Sequence, residues 1–61
     1  MNGKEIIKKL KAQGWVLSRI NGSHHIMEKN GVAVPVPVHG TKDAGLGLVA
    51  AISRQTGVKL K

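Results

Sequence analysis

The sequence predicts an α+β protein, ordered helix, three strands, helix, with one antiparallel sheet whose single apolar face is covered by both helices. Three observations point there. An apolar stripe at helical spacing opens the chain, "VAVPVPV" at 32–38 alternates with a period of two, and an Asn-Gly pair separates two strand-like runs. The 61 residues make one domain, read as 1–61. A chain of this size buries only about 60% of its unfolded surface, so the core is thin.

Residues 2–13, "NGKEIIKKLKAQ", read as the first helix. Asn2 is the N-cap, and Glu5 three places on completes a capping box. Ile6, Ile7 and Leu10 form the apolar stripe, while Lys4, Lys8 and Lys11 share another face, and Gly14 is the natural stop. Residues 15–20, "WVLSRI", suit a strand with Trp15, Leu17 and Arg19 on one face and Val16, Ser18 and Ile20 on the other. A turn follows at Asn21–Ser23, then a second strand at 24–29, "HHIMEK". The third strand, 32–38, sends Val32, Val34, Val36 and Val38 to the core. After Gly40 a loop leads to a helix over 47–56, with Leu48, Val49 and Ile52 inward and Gly57 at its end. The tail "VKLK" is short and basic, with Val58 placed to fold back on the last turn.

The second hairpin fixes a register. A type I′ turn at Asn30–Gly31 pairs Lys29 with Val32, Met27 with Val34 and His25 with Val36 as hydrogen-bonded pairs. Pro35 and Pro37 then fall opposite Ile26 and His24, where no inward donor is needed. The third strand is therefore an edge strand with its prolines facing outward.

Ten Lys/Arg against three Asp/Glu give a formal charge of +7. Such a charge on so small a body selects a polyanionic partner, nucleic acid or an acidic protein. The apolar face of the basic helix is too narrow to embed in an anionic membrane, and no apolar run approaches the ~20 residues that span a bilayer. The chain opens directly on a helical pattern with no signal-peptide architecture, and the absence of cysteine fits the cytosol. With no cysteine, neither disulfides nor thiolate metal sites are available. Trp15 is the single aromatic residue. It is expected at the core or its rim, and a lone aromatic argues against base-stacking recognition.

Three histidines bracket the second hairpin. The register sends His24 to the face away from the valines. His39 joins that face if the strand extends so far, as a diagonal neighbour at roughly 7–8 Å. His25 points the other way, beside Val36. Three readings of His24 and His39 are open. They are polar residues on a wet sheet face, or ligands of a metal for which Asp43 is the only nearby third donor, or acid–base groups. Imidazole exchanges protons at neutral pH. On a basic surface the third reading suggests metal-free RNA cleavage, in which a neutral imidazole takes the ribose 2′-OH proton and that oxygen attacks phosphorus. Lys, Arg and backbone N–H groups would stabilise the resulting anion.

"GSHH" at Gly22–His25 followed by "VPVHG" at Val36–Gly40 resembles the HicA (YcfA-like) mRNA interferase toxins. The resemblance runs from "EIIKKLKAQGW" through "RINGSHHIM" and "VPVHGTKD" to "GLGLVAAISRQTG". It implies a double-stranded-RNA-binding-domain-like α-β-β-β-α fold and a cytoplasmic toxin that cleaves mRNA and is inhibited by a HicB antitoxin covering its active site. The family's catalytic histidine follows Gly-Ser, which is His24 here, and the second motif carries over to His39 as proton donor or orienting partner. No cofactor is implied. Gly22 and Ser23 support the turn, with the Ser hydroxyl bonded inside it. Many members approach the last helix through a Lys-Pro-Gly-Thr-Leu-Arg-like segment, where this chain has "AGLGLVA"; Arg54 and Gln55 match. Loss of those charges moves the expected phosphate contacts to Lys8, Lys11, Arg19 and Lys42. The rival reading is a non-catalytic double-stranded-RNA-binding-like module, which needs charge and shape but no histidine.

Overall fold

A computed structural model describes residues 1–60; Lys61, the last residue of the basic tail, lies outside the described residues. The elements run α1 Gly3–Ala12, β1 Val16–Asn21, β2 His24–Lys29, β3 Val32–Pro37 and α2 Leu46–Thr56. This is the α-β-β-β-α order expected, with the strands in the sheet order β1-β2-β3.

Helix α1 is delimited at both ends by its own side chains and backbone. The Asn2 side chain accepts the Glu5 amide at 2.9 Å, and the Glu5 carboxylate accepts the Asn2 amide at 2.8 Å. At the other end Gly14 takes φ +93°, and the amides of Gly14 and Trp15 close onto the carbonyls of Lys11 and Leu10. This is the Schellman arrangement, in which a left-handed residue satisfies the last carbonyls. The chain then enters β1 with Trp15 already in the core, 5% exposed.

The β2–β3 hairpin has the predicted register at every pair, from Lys29 opposite Val32 to His24 opposite Pro37. Asn30 and Gly31 both take positive φ, 51° and 80°, as a type I′ turn demands. Strand β3 lies at the sheet edge with Pro35 and Pro37 at non-hydrogen-bonded positions. It ends at Pro37 rather than at 38, although the Val38 amide still donates to the Ser23 carbonyl at 2.7 Å.

Strand β1 departs from the simple alternation. Its register slips between Leu17 and Arg19, so that Leu17 faces Met27 while Arg19 faces Ile26 and Ile20 faces His25. Residues directly opposite share a face. Leu17 thus lies on the helix side, and Arg19 lies on the open side rather than with Trp15 and Leu17. The cause is a competition between two ends of the strand. The two-residue loop Gly22–Ser23 sets Asn21 opposite His24 and hence Arg19 outward, whereas burial of Trp15 sets the opposite parity for the strand's start. A bulge at Ser18 absorbs the extra residue.

Both helices pack on one face of the sheet. The core joins Ile6, Ile7 and Leu10 of α1 with Met27, Val34 and Val36 of the sheet and Val49 and Ile52 of α2. Val38 packs against this core, while Val32, at the far end of β3, is 48% exposed. Gly3 is buried where α1 crosses the end of β3; a Cβ there would run into the Pro37 carbonyl oxygen and lie 3.0 Å from the Val38 Cα. Helix α2 begins one residue earlier than predicted and ends at Gly57, φ +73°. The Ser53 hydroxyl donates to the Val58 carbonyl at 2.6 Å, and the Thr56 hydroxyl accepts the Val58 amide at 3.1 Å. These bonds fold the tail back as expected for Val58, and they carry Leu60 into the core, 3% exposed.

Candidate active site

His24 opens β2 and stands opposite Asn21 on one side and Pro37 on the other, exposed on the sheet face that no helix covers. Two features hold it there. Gly22 takes φ +63°, and a Cβ at this position would meet nothing within 4 Å, so backbone geometry rather than space requires glycine. Ser23 acts through its carbonyl, which accepts the Val38 amide and ties the turn to the end of β3. Among the described residues the Ser23 hydroxyl makes no hydrogen bond within the turn, contrary to expectation.

The Gly22–Ser23 loop places Arg19 in reach of this histidine. Arg19 is two residues before Asn21 on β1, which makes it the diagonal neighbour of His24 at roughly 7–8 Å between Cα atoms. Both side chains are exposed on the same face. An imidazole and a guanidinium at that separation can address one phosphodiester, the first through a proton and the second through charge.

His25 is not part of this pair. It lies on the helix side between Ile20 and Val36, half-buried, with its Nδ1 buried and without a hydrogen-bond partner. The neighbouring histidines therefore sit in opposite environments.

His39 is exposed and lies beyond the end of β3, so strand alternation does not extend to it. The chain turns there, with the Lys42 amide donating to the His39 carbonyl at 3.0 Å. His39 and Lys42 line a shallow cleft of about 200 Å³ together with Pro37, Gly45 and Leu48. The loop is tied to the start of the chain: the Ala44 amide donates to the Met1 carbonyl at 2.8 Å, and the Met1 amine donates to the Asp43 carboxylate. That hydrogen bond raises the amine above its usual pKa. The N-cap of α2 is Gly45, which offers no side chain to the first-turn amides bordering this cleft.

The predicted site residues thus fall into three places. His24 and Arg19 come together on the open face, and His39 and Lys42 come together at the approach to α2. Lys8 and Lys11 are exposed on α1, in the helical layer on the other side of the sheet. No hydrogen bond joins His24 to His39 among the described residues. No group of three or more His, Cys, Asp or Glu that could hold a metal occurs among them either.

A basic α+β protein with one bare sheet face, an exposed histidine on it and an arginine beside it defines a class suited to phosphodiester binding and acid–base chemistry. Comparison with known proteins gives the family. The family described as the HicA toxin of bacterial toxin–antitoxin systems matches residues 3–58, and the chain belongs to this family. It is similar to the probable mRNA interferase HicA of Pseudomonas fluorescens (strain Pf0-1), with 39% identity over 59 residues, covering 97% of this chain and 98% of that relative. No solved structure matches the chain.

Proposed function

We propose that this toxin is a metal-independent endoribonuclease that cleaves mRNA, with His24 as general base on the open sheet face. The observation that carries this reading is the pairing of His24 with Arg19 on that face, an arrangement that costs the sheet a bulge. His24 takes the proton from a ribose 2′-OH, and the freed oxygen attacks the adjacent phosphorus. The phosphorus–5′-oxygen bond breaks, leaving a cyclic phosphate and a 5′-hydroxyl end. Arg19 stabilises the charge that builds on the phosphoryl oxygens. The leaving 5′-oxygen takes a proton, for which His39 is the candidate donor, while Lys42 beside it binds a neighbouring phosphate. Lys8 and Lys11 contact RNA only where the strand continues around the edge of the sheet. A HicB-type antitoxin inhibits the enzyme by covering the open face, and the reaction runs in the cytoplasm. No helix among the described residues is long and apolar enough to cross a membrane.

The name borne by the Pseudomonas relative supports the mRNA substrate. The test is incubation of the purified protein with an mRNA, and with DNA of the same sequence, in excess EDTA. The reading expects cleavage of the RNA and none of the DNA. Loss of RNA cleavage in EDTA overturns metal independence, and cleavage of the DNA overturns the 2′-OH mechanism.

A further inference from the structure

The two edges of the sheet are built differently. Along β3, Pro35 and Pro37 remove outward donors, which blunts that edge against further strands. Strand β1 forms the other edge, has no proline and is exposed along all six residues. Val16 is 61%, Leu17 38% and Ile20 57% exposed, three large apolar side chains on one short strand. The outward donors of β1 follow from the register. His25, Met27 and Lys29 direct their backbone groups to β3, so His24, Ile26 and Glu28 direct theirs to β1. Three residues of β1 lie outside those pairs: Ser18 is the bulge, and Leu17 and Ile20 on either side of it point their N–H groups outward.

We infer that the β1 edge is a docking strand for an extended, acidic segment of the antitoxin, which adds to the sheet as a fourth strand. The inference rests on the toxin–antitoxin reading and specifies how the partner engages. Charge selects the occupant. The chain carries a formal +7, and β1 itself holds Arg19 and no acid, although Glu28 stands opposite Val16 on β2. A second copy would bring like charge to the edge, whereas an acidic segment brings opposite charge. Main-chain bonds to Leu17 and Ile20 supply affinity, while Val16 on the open face and Leu17 and Ile20 on the helix face supply apolar contacts. A strand added there lies about 4.8 Å from β1, so its open-face side chains reach Arg19 and border His24. Strand addition and occlusion of the candidate active site become one event.

The experiment compares amide hydrogen exchange of the toxin in its intact complex with the co-expressed antitoxin against the toxin freed from it. The inference expects the Leu17 and Ile20 amides to slow by about tenfold or more in the complex while β3 changes little. Ile20→Pro, which copies onto β1 the device already present on β3, is expected to weaken the complex by about tenfold. Because that variant risks the fold, Ile20→Asp and Ile20→Lys are measured beside it. An acidic partner requires the Asp variant to bind more weakly than the Lys variant. A complex that forms and blocks RNA cleavage without protecting β1 overturns the docking strand and leaves the toxin reading intact. Absence of both complex and cleavage overturns the two together. Protection of β1 in the free toxin that rises with its own concentration overturns the acidic occupant in favour of a second copy.

Discussion

His24 and His25 are adjacent in the chain and opposite in environment, because a strand alternates its faces at every residue. The hairpin register alone separates them, which is why the sequence places His24 as it stands in the structure. Arg19 shows the converse. Counting by twos from Trp15 puts it on the helix side, but the loop at Gly22–Ser23 sets it opposite Ile26 on the open side. The signal was present in "INGSH", since a two-residue loop there fixes the pairing as firmly as Asn30–Gly31 fixes the other hairpin. The two counts disagree by one residue, and that disagreement is the bulge. At Gly3 the demand is for space. A methyl group meets the backbone of Pro37 and Val38 as well as the Val38 side chain, and the backbone cannot yield without moving the end of β3. Gly3→Ala is expected to destabilise the fold by about 1–3 kcal/mol, measured by urea denaturation, with the start of α1 displaced from the end of β3. Unchanged stability would show that α1 does not sit so close.

Among the elements, the capping box, the Schellman end of α1 and the β2–β3 hairpin were legible because each depends on residues within a few positions of one another. The tail was not. Leu60 gives no periodic signal, and its burial follows from hydrogen bonds that Ser53 and Thr56 make to Val58 after the helix has stopped. In a protein whose core rests on so few side chains the tail is structural. Leu60→Ala is expected to cost about 2–5 kcal/mol, read as a lowered thermal midpoint by circular dichroism. The end of β3 was also beyond local reading. His39 leaves the sheet because the chain turns through Gly40, φ +60°, to meet Lys42, so its partnership is with the approach to α2 rather than with the strand. In the proposed mechanism His39 donates its proton to the leaving oxygen from that position, beside Lys42, without direct contact with His24.

For the whole molecule, a formal +7 spread over both layers makes RNA binding sensitive to salt. The lysines of α1 and the residues of the open face lie on opposite sides of the sheet, so they cannot contribute equally to one bound strand. Arg19→Ala is expected to flatten the log–log dependence of RNA affinity on salt by about 0.7, the share of one phosphate contact on a single strand. Lys8→Ala should change it less. Equal effects would place the RNA across the helices instead. The central claim is that the His24 imidazole on the bare face acts as the general base. Cleavage of one mRNA in excess EDTA by the wild-type protein and by His24→Ala, both shown folded by circular dichroism, tests it most directly. The account predicts a loss of at least about 100-fold for the variant; equal rates would contradict it.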